Sequence, residues 1–150
     1  MKVREGNMWS AYEECDLFCI TTNGTVFNGK LVMGGGIALE AKKKFPGIDE
    51  RFGEWITQVR QPYCLSFDVL SKIAAFQVKY DVNLPADLDL ISKSTDRLIE
   101  WISTQNPGYK VHLNYPGIGL GNLVEVDVLP IVSKLPDSVT VWKYARTARR

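Results

Sequence analysis

Residues Ile20 to Phe45, ITTNGTVFNGKLVMGGGIALEAKKKF, decide how the chain is read. The apolar run Leu17 to Ile20 leads in as the end of a strand, a polar loop carries Asn23 and Asn28, three glycines follow, and a helix begins near Ile37. Gly34, Gly35 and Gly36 have no Cβ, so their backbone N–H groups can come close to an anion. The positive dipole end of the helix adds to that attraction. A phosphate or diphosphate suits the place, and so does the blander reading of a flexible turn, because one glycine-rich loop before a helix is a weak signal.

The rest of the composition narrows the field. A chain of 150 residues with 18 basic and 17 acidic side chains suits one domain, residues 1–150, with a sizeable core and no global field to recruit nucleic acid. Lys42 to Lys44 and the Arg146, Arg149, Arg150 tail are local basic patches, read first as solvated surface. Cys15, Cys19 and Cys64 are odd in number and lack metal-ligand spacing, which points to packing residues in a reducing, cytoplasmic setting. No apolar run suits a signal peptide or a membrane span.

Taken in order, Val3 to Glu5 is a short strand followed by the turn pair Gly6-Asn7, and Met8 to Tyr12 has room for one helical turn. Cys15 to Thr22 runs apolar, as a strand buried on both faces does, and delivers Asn23 to its carboxyl end, where Asn serves equally as a turn residue. The helix over Ile37 to Phe45 stops at Pro46-Gly47. A second spans Ile48 to Gln58, with Phe52, Trp55 and Ile56 at helical spacing and Gly53 as its weak point. Tyr63 to Phe67 and Ile73 to Tyr80 read as strands, the second more central and carrying Lys79 near its end. Pro85 opens a long helix through Thr104 whose apolar face is Leu88, Ile91, Thr95, Leu98 and Ile102. Lys110 to Tyr115 is a strand with His112 in its middle, the placing of a structural histidine. A second glycine-rich loop, Pro116 to Asn122, precedes a helix over Val124 to Leu135 and a last strand over Val139 to Tyr144.

Strands alternating with helices imply a mixed, largely parallel sheet covered on both faces, in which ligands bind beyond the carboxyl ends of the strands. Both glycine loops would lie on that edge and clamp a diphosphate from two sides. A dinucleotide-binding Rossmann domain fits less well, because Gly34 to Gly36 do not follow their strand directly and no acidic residue ends a neighbouring strand at the usual interval.

Over essentially its full length the chain resembles the macrodomains, which bind ADP-ribose. The matching stretches are Gly6-Asn7, Thr21-Thr22-Asn23, Met33 to Leu39, Lys43-Lys44-Phe45-Pro46 and Pro116 to Leu123. MGGGIA followed by KKKFP is most similar to the branch of terminal ADP-ribose protein glycohydrolase, of the antitoxin glycohydrolases that remove ADP-ribose from DNA, and of small phage macrodomain proteins. The resemblance implies a three-layer α/β/α macrodomain with no cofactor and no metal. Its partner would be ADP-ribose or an ADP-ribosylated macromolecule, a nucleic acid if the substrate is ADP-ribosylated DNA. A monomer with no membrane attachment is expected.

Carried over by position, the resemblance gives Asn7 and Met8 the adenine end, with a carboxamide where many family members have an Asp. Asn23 would meet the distal ribose, with Asn28 the competing assignment. Gly34, Gly35, Gly36 and Ile37 would approach the distal ribose and diphosphate. Gly117, Ile118, Gly119, Leu120, Gly121 and Asn122 would surround the diphosphate, and Trp142 would stand beside the adenine or in the core. Lys79 matches a lysine that, in the glycohydrolases, reacts or assists at the anomeric carbon. The acidic partner of that lysine falls on Gly121, so one of two titratable groups is missing. Glu125 and Asp127, nearby, are expected to face solvent. Two functions follow: hydrolysis of an ADP-ribose derivative with Lys79 and Asn23 at the reacting carbon (or loss of phosphate from ADP-ribose 1''-phosphate, with Asn23 and His112), and binding without turnover.

Overall fold

The computed structural model describes residues 1–144, which leaves the Arg146, Arg149, Arg150 patch outside the described residues. Eight strands and four α-helices follow one another as β1 (Lys2–Glu5), β2 (Leu17–Thr22), β3 (Val26–Phe27), β4 (Lys30–Leu31), α1 (Gly36–Lys44), α2 (Ile48–Ile56), β5 (Leu65–Asp68), β6 (Ile73–Gln77), α3 (Leu88–Ser103), β7 (Val111–Asn114), α4 (Glu125–Val132) and β8 (Val139–Lys143). Two 3-10 helices, Met8–Glu14 and Gly119–Gly121, complete the set. None of these helices is long and apolar enough to cross a membrane.

Six strands form the main sheet in the order β1-β8-β7-β2-β6-β5, parallel throughout except where β5 runs antiparallel to β6. The period-2 alternation of the central strands divides the core. Phe18, Ile20, Ile73 and Ala75 face one layer with α1, α2 and the first 3-10 helix. Leu17, Cys19, Ala74 and Phe76 face the other, with α3 and α4. This is the mixed, three-layer α/β architecture expected.

Several local expectations need correction. Trp55 is exposed although Phe52 and Ile56 beside it are buried, so α2 presents a narrower apolar stripe than its spacing suggested. On α3, Leu88 is exposed and Leu90, Ile91, Ser94, Thr95 and Leu98 form the buried face. The helix begins at Leu88 rather than Pro85, with Asp87 as its N-cap; the Asp87 carboxylate accepts from the Leu90 N–H at 2.9 Å. Asn28 and Gly29, with φ of 52° and 78°, form the two-residue loop of the β3–β4 hairpin, in which Phe27 pairs with Lys30. Asn-Gly favours that turn because both residues tolerate left-handed backbone.

Candidate functional site

The chain leaves β2 toward β6 on one side and β7 toward β8 on the other, so β2 and β7 flank the point where the strand order reverses. Their pairing stops at Cys19 opposite Leu113, whereas β2 stays paired with β6 as far as Thr22 opposite Gln77. Beyond that point the Asn114 side chain replaces the ladder. Its Oδ1 accepts from the Thr21 N–H at 2.9 Å, and its Nδ2 donates to Thr21 Oγ1 at 2.8 Å. The strands part there and a crevice opens, as open α/β sheets provide at such a point.

A cleft of about 540 Å³ fills this crevice, within the size range of small-molecule sites. Both glycine loops border it, with Gly34, Gly35, Gly36 and Ile37 on one wall and Gly117, Ile118, Gly119, Leu120 and Gly121 on the other. The loops nearly touch: a Cβ on Gly35 would lie 3.0 Å from Leu120 Cδ1, and one on Gly36 3.4 Å from it. Gly36 at φ 57° and Gly119 at φ 72° occupy left-handed backbone that most side chains avoid. The N–H groups of Gly34 and Gly35 in the first loop, and of Gly117 and Ile118 in the second, donate to no acceptor among the described residues. They are the donor set that a diphosphate between the loops requires.

Lys79 and Asn23 both line the cleft. Asn23 combines its two readings. Its Oδ1 accepts from the Thr25 N–H at 2.9 Å and its Nδ2 donates to Val32 O at 3.0 Å, which shapes the turn and leaves one amide hydrogen for a ligand. Asn28 is not among the lining residues, because the hairpin turn holds it. Nor is His112, which is buried and accepts from Trp142 Nε1 through Nδ1 at 2.7 Å; it is a core histidine. Burial holds its imidazole below the ordinary 6.5, with Arg4 and Lys110 acting in the same direction against Glu14.

Trp142 lines the cleft and belongs to the core at once, with the Arg4 guanidinium 4.4 Å from its ring centre. Tyr144, two residues on and 61% exposed, also lines the cleft, so it is the more accessible aromatic there. Asn7 and Met8 lie in a smaller recess that shares Ile37, Asn114, Trp142, Lys143 and Tyr144 with the cleft. Asn7 caps the first 3-10 helix, its Oδ1 accepting from the Trp9 N–H at 3.1 Å. Asn122 ends the second 3-10 helix at φ 63° and is not a lining residue.

The position of the missing acid has a steric explanation. A Cβ on Gly121 would stand 2.9 Å from Ala86 Cβ, and Gly121 O accepts from the Ala86 N–H at 3.0 Å, so no side chain fits there without rearrangement. Glu125 is exposed, as expected, and it also lines the cleft, where it pairs with Lys143 at 3.2 Å. Glu5 lines the cleft as well. Sequence reading missed Asn114, Glu5 and Glu125. Of these, only Asn114 carried a signal, as an amide at the end of a strand next to a glycine loop.

By sequence, the chain matches no protein-family model and no curated protein. By structure it is similar to the macrodomain of Thermus aquaticus DarG, at TM-score 0.68 and 20% identity over 96% of this chain and 97% of that one. The chain has the macrodomain fold. The macrodomain of Mycobacterium tuberculosis DarG superposes at TM-score 0.67 with 22% identity, over 95% of this chain and 96% of that one. Thermosipho africanus DarTG, solved in complex with ADP-ribose, does so at 0.71 with 19% identity, over 98% of this chain but 42% of the longer one. Within this fold, both glycine loops, Asn23 and Lys79 line one cleft.

Proposed function

We propose that the cleft binds ADP-ribose, free or joined to a macromolecule, and that Lys79 assists cleavage at the anomeric carbon of the bound sugar. The observation that carries binding is the approach of two glycine loops, each with unpaired N–H donors, across one cleft. The structural likeness to a protein solved with ADP-ribose supports the same reading. The diphosphate would lie between Gly34–Gly36 and Gly117–Gly121, the distal ribose near Asn23, and the adenine toward Trp142 and Tyr144.

For chemistry, Lys79 is a cationic side chain that lines the same cleft as Asn23, suited to act on the departing group or on the sugar carbon. With Gly121 closed against Ala86, a carboxylate partner has to come from Glu125 or Glu5. Binding without turnover is the second reading, favoured by the glycine at the position of the loop acid. The free, buried state of Cys15, Cys19 and Cys64 supports the proposal that the protein works in the cytoplasm.

Calorimetry with ADP-ribose tests binding. Incubation with ADP-ribosylated protein, ADP-ribosylated DNA and ADP-ribose 1''-phosphate tests turnover. We expect Lys79→Ala to abolish product while changing ADP-ribose affinity by no more than a few fold. Tight binding with no product from any substrate would establish the binding module instead, and no binding at all would end the proposal.

A further inference from the structure

Asn23 and Lys79 reach the cleft from different loops, one after β2 and one after β6. The distance between the two groups therefore depends on how those loops are held against each other. Gln77, the last residue of β6, is fully buried and does not line the cleft. Both N–H groups and the oxygen of its carboxamide are engaged. Nε2 donates to Lys79 O at 3.0 Å and to Gln61 Oε1 at 3.1 Å, and Oε1 accepts from the Cys64 N–H at 3.0 Å. Gln61 Nε2 donates in turn to Gly24 O, next to Asn23, at 3.3 Å.

Packing joins the same two loops. A Cβ on Gly24 would stand 2.5 Å from Tyr80 O and 2.6 Å from Gln77 Nε2, so the loops abut with no room for a methyl group. The Tyr63 hydroxyl donates to Asn23 O at 2.6 Å and anchors the first loop from below. Further out, Thr25 Oγ1 donates to Asp81 Oδ1 and accepts from the Val82 N–H, both at 2.9 Å. This outer tie keeps the loops attached when the inner contact is altered. A change at Gln77 or Gly24 thus shifts the spacing of Asn23 and Lys79 rather than releasing either loop. The bond from the Cys64 N–H serves the sheet, where Gln77 N–H also donates to Cys64 O at 2.9 Å. The two bonds donated by Nε2 serve the loops.

Resting on the reading of the cleft as a site where Lys79 acts on a bound sugar, we propose that Gln77 is a positioning residue for Lys79. Its Nε2 fixes the Lys79 backbone against the Asn23–Gly24 turn and so sets the reach of the Lys79 amine to the sugar that Asn23 meets. A misplacement of about 1 Å can slow a positioned reaction by about a hundredfold, so a buried amide that touches no ligand can still control the rate.

Two variants separate this role from a purely structural one. Gln77→Glu keeps the acceptor for the Cys64 N–H, and the introduced carboxyl donates to Lys79 O only while protonated. Gly24→Ala drives the loops apart by packing alone. Relative to wild type at the same pH, turnover by Gln77→Glu should fall at least about tenfold between about pH 6 and about pH 9, as the carboxyl ionises. Turnover by Gly24→Ala should be at least about tenfold lower at both, and both variants should keep ADP-ribose affinity within about threefold by calorimetry. A second readout does not depend on turnover: the Lys79 Nζ signal in NMR, which ADP-ribose should move in the wild type, should move less in both variants at saturating ADP-ribose. Wild-type turnover, or an unchanged Lys79 response, in both variants overturns the positioning role. So does a loss of turnover that only follows a loss of ADP-ribose affinity or a lower urea midpoint. If ADP-ribose leaves the wild-type Lys79 signal unmoved, the reading of the cleft itself falls, and the positioning role with it.

Discussion

Gly53 lies inside α2, where helix propensity alone favours alanine by about 1 kcal/mol. Its surroundings reverse the sign. A Cβ there would stand 2.2 Å from Gly29 O and 2.8 Å from Lys30 Cα, both backbone atoms of the β3–β4 hairpin. We expect Gly53→Ala to destabilise by about 1–3 kcal/mol, the usual cost of overpacking, read as a lower urea midpoint. His112 offers a second prediction. Because its folded pKa lies below 6.5, the unfolded chain takes up the proton first, so the stability it contributes is present above pH 6.5 and declines as pH falls below that value. Protonation at Nδ1 also removes the acceptor for Trp142 Nε1. Urea midpoints and tryptophan emission followed from pH 7.5 to 5 should both shift, and in His112→Gln, which keeps an acceptor, the pH-dependent part should flatten.

Among the elements, the parting of β2 from β7 depends on one amide. Asn114 supplies an acceptor for the Thr21 N–H and a donor for Thr21 Oγ1, ending the ladder without leaving the Thr21 N–H unpaired. Asn114→Ala should cost about 1–3 kcal/mol, since an unmet donor is more costly than a hydrogen bond is favourable. It should also weaken ADP-ribose binding, because the crevice loses the group that sets its width. Calorimetry and denaturation on the same preparation separate the two effects. Unchanged stability would show that water replaces the amide. The second glycine loop is held in another way: Gly117 packs where a Cβ would come within 2.7 Å of Ile91 and 2.8 Å of Leu123, so the loop is seated on α3 and its own C-terminal end.

Across the whole molecule, Arg51 on α2 and Asp68 on β5 form a bidentate pair, at 2.7 and 3.0 Å, which ties a helix to the edge of the sheet. Burial alone would raise the Asp68 carboxyl, but hydrogen bonds from Arg51 and Ser71 outweigh it and hold the pKa below 3.8. The stability it contributes is therefore present above pH 3.8 and is lost as pH falls through the depressed value. Asp68→Asn should lower stability at pH 7 by roughly 1–2 kcal/mol, discounted because Arg51 is partly exposed, and should blunt acid unfolding below pH 4. Thermal melts of both proteins from pH 7 to 3 would show the difference.

The order of strands and helices, the buried run of β2 and the two glycine loops were legible in the residues because each is a local property: side-chain period, β-branching, the lack of a Cβ. The same local pattern put Asn23 and Lys79 at the ends of apolar strands, but only the family resemblance singled them out from turn and surface residues. Asn28 was misplaced since Asn-Gly reads alike as a loop over a ligand and as a hairpin turn, and the pairing of Phe27 with Lys30 settles it. Glu125 is exposed, as its place on the helix suggested, but that it also borders the cleft was not legible, because sequence spacing says which face of a helix is polar and not what that face meets. The chain by itself thus determined the elements, their alternation and the chemistry at their ends. Tertiary structure alone decided that β2 and β7 part at Asn114, that Leu120 closes on Gly35, and that Gly121 has no room for an acid. Each of these depends on contacts between residues far apart in the chain, whose separations exist only once the sheet has formed.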